Sequence, residues 1–430
     1  MIGKRLNTLL CGIAALALIG CGGTVTGKGK MTELAADAPP PPAGGAGPTG
    51  KRKVSVEAKG DFAEVARAHK KAAEGGWTQA ECNAMAGKWS SLHSEFPKLI
   101  EARYNAGVSY QNCNMMKDAE REYQAALKKN PNHGPSLSNL GSIYFVGGNR
   151  KVAKQYWDRA VQADTTLSVT GARANLAWLL IEQIRAGGSK QLEGKAAGDL
   201  SRALAIEFEN KEAYVMYALL YLEGAEKNKS RLALADLLLD KAAEIDEAYP
   251  PLHNARGLYL LKQEDVAQAL SSFRRAVQLN PKFKEALLNV GNIVLDFRKY
   301  AEAKQAFEAV LALDRKNYDA TIGLGIAQRG LKDYNGAEAS YKKALKLDGK
   351  RPDAAFNLGV LYQDFRANET EDLKKAQGAY RTAVKYFQQA KGKPGASKSL
   401  KKDADDNIGT CQKNIKTIDE TIKFQASGGK

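Results

Sequence analysis

Apolar and polar positions follow a helical spacing over most of this chain, and the spacing itself recurs. From Glu101 to Asn132, small and large apolar side chains stand at Gly107, Tyr110, Ala119, Tyr123 and Ala126, with Pro131 behind them. Shifted by 34 residues, the same places hold Gly141, Tyr144, Ala153, Trp157 and Ala160, with Thr165 where the proline stood. A fixed 34-residue period with small residues at set places predicts stacked pairs of helices. The small residues sit at the eighth place, in the first helix, and at the twentieth, early in the second, where the backbones must approach. Large residues at the eleventh and twenty-fourth places fill the space on either side. One pair cannot bury its apolar face alone, so neighbours share a continuous core. A proline beyond the second helix cannot continue it and stops it.

These residues resemble the tetratricopeptide repeat (TPR) pattern, and the likeness extends along the chain. One later unit has Gly257, Ala269, Phe273, Ala276 and Pro281, and the next has Gly291, Ala303, Phe307 and Val310. Another has Gly325, Ala337, Tyr341 and Ala344, and the last Gly359, Tyr362, Ala376, Tyr380 and Ala383. Two central units fit with extra loop residues: Ala177, Ala196, Leu200 and Ala203 around Gly187-Gly188-Ser189, then Ala218, Ala235, Leu239 and Ala242. A first unit holds Ala66, Met85, Trp89, Leu92 and Pro97, with a longer inter-helix loop at Gly75-Gly76. The expected fold is all-α, a TPR superhelical solenoid of about nine helix-turn-helix units plus a C-terminal capping helix. The array is expected over residues 61–390, followed by a linker and capping helix over 391–430. That helix reads from Asp406 to Phe424, with Ile408, Cys411, Ile415, Ile418 and Ile422 on one stripe. Asp403, Asp405 and Asp406 favour its N-terminus through the macrodipole.

The start of the chain has a different character. Lys4 and Arg5 precede an apolar run from Leu9 to Ile19, the arrangement of a secretory signal peptide over residues 1–20. The run ends in Leu18-Ile19-Gly20-Cys21, which resembles the bacterial lipobox. That resemblance implies a diacylglyceryl group on Cys21. Gly22 follows where aspartate would imply inner-membrane retention, so the implied place is the outer membrane, facing the periplasm. Residues 21–60 hold Pro39-Pro40-Pro41-Pro42 and Gly44-Gly45-Ala46-Gly47-Pro48, a composition that buries too little apolar surface to fold. As a coil of about forty residues this tether would span roughly 35 Å. Gly22 to Lys28 and Gly45 to Lys51 match the start of a phosphate-binding loop. Neither is followed by Ser or Thr and neither follows a strand, so neither is read as a nucleotide site.

The chain has 64 Lys and Arg against 48 Asp and Glu, a formal charge of +16. Loss of Lys4 and Arg5 with the leader would lower it by two. The surplus suits an anionic partner, yet basic and acidic residues interleave along the helices, which equally describes solvated faces. His69, His93, His133 and His253 are scattered without metal-ligand spacing. No catalytic motif is found, so the expectation is no enzyme, no metal, no cofactor, no nucleic acid and no small-molecule substrate. Cys82, Cys113 and Cys411 remain besides Cys21 and the leader's Cys11. An exported chain meets oxidising conditions. Cys82 falls where the first unit's second helix begins, and Cys113 where the next unit's first helix ends. Those ends share one edge of the stack, which suggests a Cys82–Cys113 disulfide. Two small apolar residues are the alternative.

Two places before the packing glycine or alanine stand Asn105, Asn139, Asn175, Asn289 and Asn357, with Asn407 in the cap. In the TPR family this place lies on the concave wall, and an amide there can pair with the backbone of an extended peptide. Met216, Ala255 and Gly323 interrupt the column. Tyr104 and Phe356 would either stack on a ligand or pack. The whole resembles TPR outer-membrane lipoproteins, most of all the gliding-motility TPR lipoprotein of gliding delta-group bacteria. That likeness implies a scaffold for envelope proteins of a motility or secretion complex. The alternatives are a pilotin-like assembly factor for a type IV pilus secretin, or a regulator of cell-wall enzymes.

Overall fold

The computed structural model describes residues 56–427 apart from Gly76, 164–168, Ala186, Gly188, Glu226 and Lys227. The expected leader, Cys21, both phosphate-loop matches, Thr165 and the tether as far as residue 55 lie outside the described residues.

Two compact units follow one another, the first reaching Lys262 and the second beginning at Gln263. In the first, helices run α1 (Val56–Gly75), α2 (Gln79–Glu95), α3 (Ile100–Asn112), α4 (Met116–Lys129), α5 (Gly134–Val146) and α6 (Arg150–Ala163). They continue as α7 (Thr170–Arg185), α8 (Lys190–Ile206), α9 (Lys211–Leu222), α10 (Lys229–Ile245) and α11 (Pro250–Lys262). The second unit has α12 (Val266–Leu279), α13 (Lys284–Asp296), α14 (Tyr300–Leu313), α15 (Tyr318–Gly330), α16 (Tyr334–Leu347) and α17 (Asp353–Val360). It closes with α18 (Leu373–Lys391) and α19 (Lys398–Ala426). No strand occurs among the described residues. Odd-numbered helices through α17 are the first helices of their repeats, and α19 packs along α18 as the cap.

Each repeat is held by one large side chain lodged where another residue lacks bulk. A Cβ placed on Gly107 would meet Tyr123 Cε1 at 2.6 Å. The corresponding contact is 2.8 Å between Gly291 and Phe307, and 2.5 Å between Gly325 and Tyr341. Gly141 stands against Trp157 in the same way. Where the lodged residue is a leucine, as at Leu200 and Leu239, the opposing place holds Ala177 or Ala218, and all four are buried. Ring against glycine and leucine against alanine conserve the same volume.

The turns are equally regular. Between first and second helices one residue takes the left-handed conformation: Asn114 (φ 60°), Gly148 (φ 82°), Gly224 (φ 75°), Arg298 (φ 58°) and Lys332 (φ 64°). Between repeats, the residue ending the second helix folds its side chain onto the backbone two residues on. Asn130 accepts from the Asn132 N–H at 3.2 Å, Asp246 from Ala248 at 2.9 Å and Asn280 from Lys282 at 3.0 Å. This Asx turn, more than a proline, stops the helix.

Several boundaries differ from the sequence reading. α1 starts at Val56, inside the expected tether, because Ala58 and Phe62 bury against the first repeat. α19 starts at Lys398, well before Asp406, because the Ser397 hydroxyl accepts from the Leu400 N–H at 3.1 Å. Asp403, Asp405 and Asp406 therefore lie inside the helix, and Asp405 pairs with Lys391 at 2.5 Å. In the last repeat α17 runs into a π-helical turn (Leu361–Phe365) and a 3-10 turn (Arg366–Asn368). The side chain lodged against Gly359 is Phe387, at 2.6 Å, with Ala383 and Ala390 buried beside it. The inserted turns delay the second helix by seven residues relative to Ala376, Tyr380 and Ala383.

Gly107→Ala should lower stability to denaturant by about 1–3 kcal/mol, since the Tyr123 ring cannot withdraw without leaving a void. Gly194, in the second turn of α8, has nothing within 4 Å of its Cβ position. Gly194→Ala should instead stabilise, by about 0.5–1 kcal/mol. Equilibrium unfolding in urea compares the two.

Candidate interaction surface

The recurring asparagines sit at the seam between repeats. Asn139 Nδ2 donates to the Tyr123 hydroxyl at 2.9 Å and the Tyr104 hydroxyl at 3.2 Å, both in the preceding repeat. The Tyr123 hydroxyl in turn donates to Gln111 Oε1 at 2.6 Å. Burial pushes the Tyr104 and Tyr123 phenols well above their ordinary range, so both remain neutral donors. Asn357 Oδ1 accepts from Arg329 of the preceding repeat at 3.4 Å, and its Nδ2 donates to the Asp353 carbonyl. Asn407 in the cap accepts from Gln363 at 2.9 Å. Asn105 gives its carbonyl to the Ser109 hydroxyl at 2.9 Å. At Gly323, where the column breaks, the missing side chain makes room for the Phe307 ring of the repeat before. Asn289 is buried in α13.

Asn175 differs from these. Its Nδ2 is buried without an acceptor, and so is Trp178 Nε1, three residues further along α7. Residues three apart on a helix lie on one face, so α7 presents two adjacent N–H donors with nothing to receive them. The Arg185 guanidinium lies 5.6 Å over the Trp178 ring and pairs with Glu223 at 2.5 Å. Arg150 pairs with Glu182 at 2.7 Å, tying the neighbouring turn to the same helix. The sequence pointed to Asn175 but gave no reason to single out Trp178. The signal available was a tryptophan one helical turn after an asparagine of the column.

The aromatic residues beside the column pack within the array. The Tyr104 ring lies 5.6 Å from Tyr123 and 5.5 Å from His133. Phe356 meets Phe387 edge-on at 5.3 Å. His69 accepts from Trp89 Nε1 at 3.0 Å, and burial lowers its pKa to about 4. A histidine held neutral as an acceptor is a core residue. Among the described residues no group of three or more His, Cys, Asp or Glu is placed to hold a metal ion. No described helix is long and apolar enough to cross a membrane.

Cys82, in the first turn of α2, is bonded to Cys113 at the end of α3, with an S–S distance of 2.00 Å and Cα atoms 6.3 Å apart. Cys411 is a buried free thiol in α19. Closing a loop of 31 residues removes denatured-state entropy equivalent to roughly 3–4 kcal/mol. Cys82→Ser, Cys113→Ser and the double variant should each lower stability by about that amount. Non-reducing peptide mapping of the unsubstituted protein should recover the two cysteines linked and Cys411 free.

Residues 254–318 and 291–355 match the family described as tetratricopeptide repeat. No curated protein sequence matches the chain. Among solved structures, an IFIT1 monomeric mutant with Gppp-AAAA is similar over 79% of this chain and 82% of its own, at 16% identity and a TM-score of 0.53. Pseudomonas aeruginosa pilF is similar over 54% of this chain and 95% of its own, at 21% identity and a TM-score of 0.41. PilW, described as a widely conserved type IV pilus biogenesis factor, is similar over 55% of this chain and 98% of its own, at 19% identity and a TM-score of 0.41. The first likeness bears on the fold alone, and the other two are too distant to argue from. Its period, its small-against-large contacts and the matched segment give this chain the fold of a tetratricopeptide-repeat solenoid.

Proposed function

We propose that this chain is a non-enzymatic scaffold, anchored to the outer membrane through lipid on Cys21 and facing the periplasm, that holds proteins of a cell-envelope machine together. Gliding motility is the specific setting we propose, on the resemblance of leader, length and repeat register. The observation that carries the binding role is the pair of acceptorless donors on α7, Asn175 Nδ2 and Trp178 Nε1. A buried donor without a partner costs about 1–3 kcal/mol. Both atoms are covered by neighbouring side chains, so an extended peptide along the first helices would supply the acceptors from its backbone carbonyls once those side chains move aside. Asn139 and Asn357 play a different part, because their amides already join one repeat to the next.

Asn175→Ala and Trp178→Phe should each weaken capture of the envelope partner from detergent extracts by about tenfold or more, with melting nearly unchanged. Asn139→Ala should lower the melting temperature instead. Equal partner recovery from all three variants would sink the peptide-binding role. Labelled palmitate should enter the wild-type protein and not Cys21→Ala, and deletion of the gene should abolish gliding while leaving pili intact. Failure of either of those two results would remove the anchor or the motility setting without touching the binding role.

A further inference from the structure

In the second unit, the loops joining one repeat to the next carry a row of lysines at the repeat period. Lys282, Lys316 and Lys350 stand 34 residues apart, and all three are exposed. Each is held by the same Asx turn, its N–H donating to Asn280 at 3.0 Å, Asp314 at 3.2 Å or Asp348 at 2.9 Å. The turn fixes the backbone, so each ammonium group leaves the same edge in the same way. Neighbouring helices pack about 8–10 Å apart, which sets the lysines in a row of that order of spacing. Arg315 adds a second exposed charge beside Lys316.

The row continues into the cap. A Cβ on Gly395, in the loop before α19, would lie 3.7 Å from the Lys350 carbonyl and 3.4 Å from Pro352. The first turns of α19 therefore share this edge and bring exposed Lys398 and Lys401 to it. Among the described residues none of these six side chains enters an ion pair. Several acids close by are already engaged: Asp314 faces Lys284 at 3.7 Å, Asp319 and Asp353 hold Arg351, and Asp405 holds Lys391. Asp348 accepts the Lys350 N–H, and Asp403 and Asp406 on α19 are exposed, so the edge is basic in net charge and not free of acids. Leu313, next to the Asp314 turn, is 41% exposed. The first unit is not built this way, since the residues held by the equivalent turns are Asn132 and Ala248.

We infer that this edge is a docking surface for an anionic membrane, with the lysines against lipid phosphates and Leu313 at the headgroup boundary. Three features favour a lipid surface over an acidic protein. The charges sit on projecting loop tips and not in a groove, so they match a plane better than a chain. They are mostly lysines, point charges that suit diffuse phosphate and lack the fork that recognises a particular carboxylate. An exposed apolar side chain beside basic ones is the pairing that partitions at an interface. The inference goes beyond the scaffold role and does not require lipid on Cys21.

The test is sedimentation of residues 21–430 carrying Cys21→Ser, which retains every described residue and has no acyl chain. Binding is expected to phosphatidylglycerol vesicles and not to phosphatidylcholine vesicles, and should fall steeply with salt. Each surface charge near an anionic bilayer strengthens binding about fivefold. The triple variant Lys282→Glu/Lys316→Glu/Lys350→Glu should therefore bind at least about a hundredfold more weakly, with an unchanged helical spectrum. Lys128→Glu/Lys129→Glu, on the first unit, should change binding less than threefold. Equal binding to both vesicle types, or a triple variant that binds like the parent, would overturn the inference. So would capture by soluble polyglutamate without any binding to vesicles, which would assign the edge to an acidic protein. Palmitate labelling at Cys21 is read separately, so the two ideas fail independently.

Discussion

The structure depends on one steric condition: at a fixed place in each first helix a side chain must be missing or small, so that a large one from the second helix can enter. Tyr123 over Gly107, Phe307 over Gly291 and Phe387 over Gly359 are the same contact repeated. Dispersion between close-packed atoms is weak per pair and large in sum, and it is lost if the backbones separate by the width of a methyl group. The contact thus sets both the crossing of two helices and the distance at which the next pair stacks. Leu200 with Ala177 and Leu239 with Ala218 satisfy the condition with other side chains.

What joins one repeat to the next is more varied. Asn139 reaches back to two phenols, Arg329 reaches forward to Asn357, and Gly323 yields space to Phe307. The array therefore separates a uniform interior from individual seams. Polar groups left over at a seam are informative, because a buried donor normally finds a partner. Asn175 and Trp178 on α7 are two such donors one helical turn apart, whereas among the described residues the other first helix with a leftover group, α3, has the single acceptor Asn112 Oδ1.

Much of this was visible in the sequence because the contact is made of residue size, and size at a fixed period can be read directly. The pairings of Gly107 with Tyr123 and Gly325 with Tyr341 follow from position alone. The last repeat was misread for a physical reason. Ala376, Tyr380 and Ala383 imitate the spacing of Ala383, Phe387 and Ala390, and nothing local announces the π-helical turn at Leu361–Phe365 that shifts the register. The start of α19 was missed because Ser397 caps it ahead of the acidic cluster. The asparagine column was legible as a column, but its partners were not, since Tyr104 and Tyr123 reach Asn139 from a different repeat. The lysine row was present at the right period all along. Its meaning rests on the turns that aim it and on Asp314, Asp319, Asp353 and Asp405 being paired with other cations, and neither is a property of spacing.

The most direct test of the steric condition is a double-mutant cycle on Gly291 and Phe307. Gly291→Ala should destabilise by crowding the ring, and Phe307→Leu by leaving a void. A smaller side chain opposite the added methyl relieves the crowding, as Leu200 does for Ala177. The pair should then be less damaging than the sum of its parts by about 1 kcal/mol or more. Strict additivity would show that the two positions do not constrain one another, and would contradict the account.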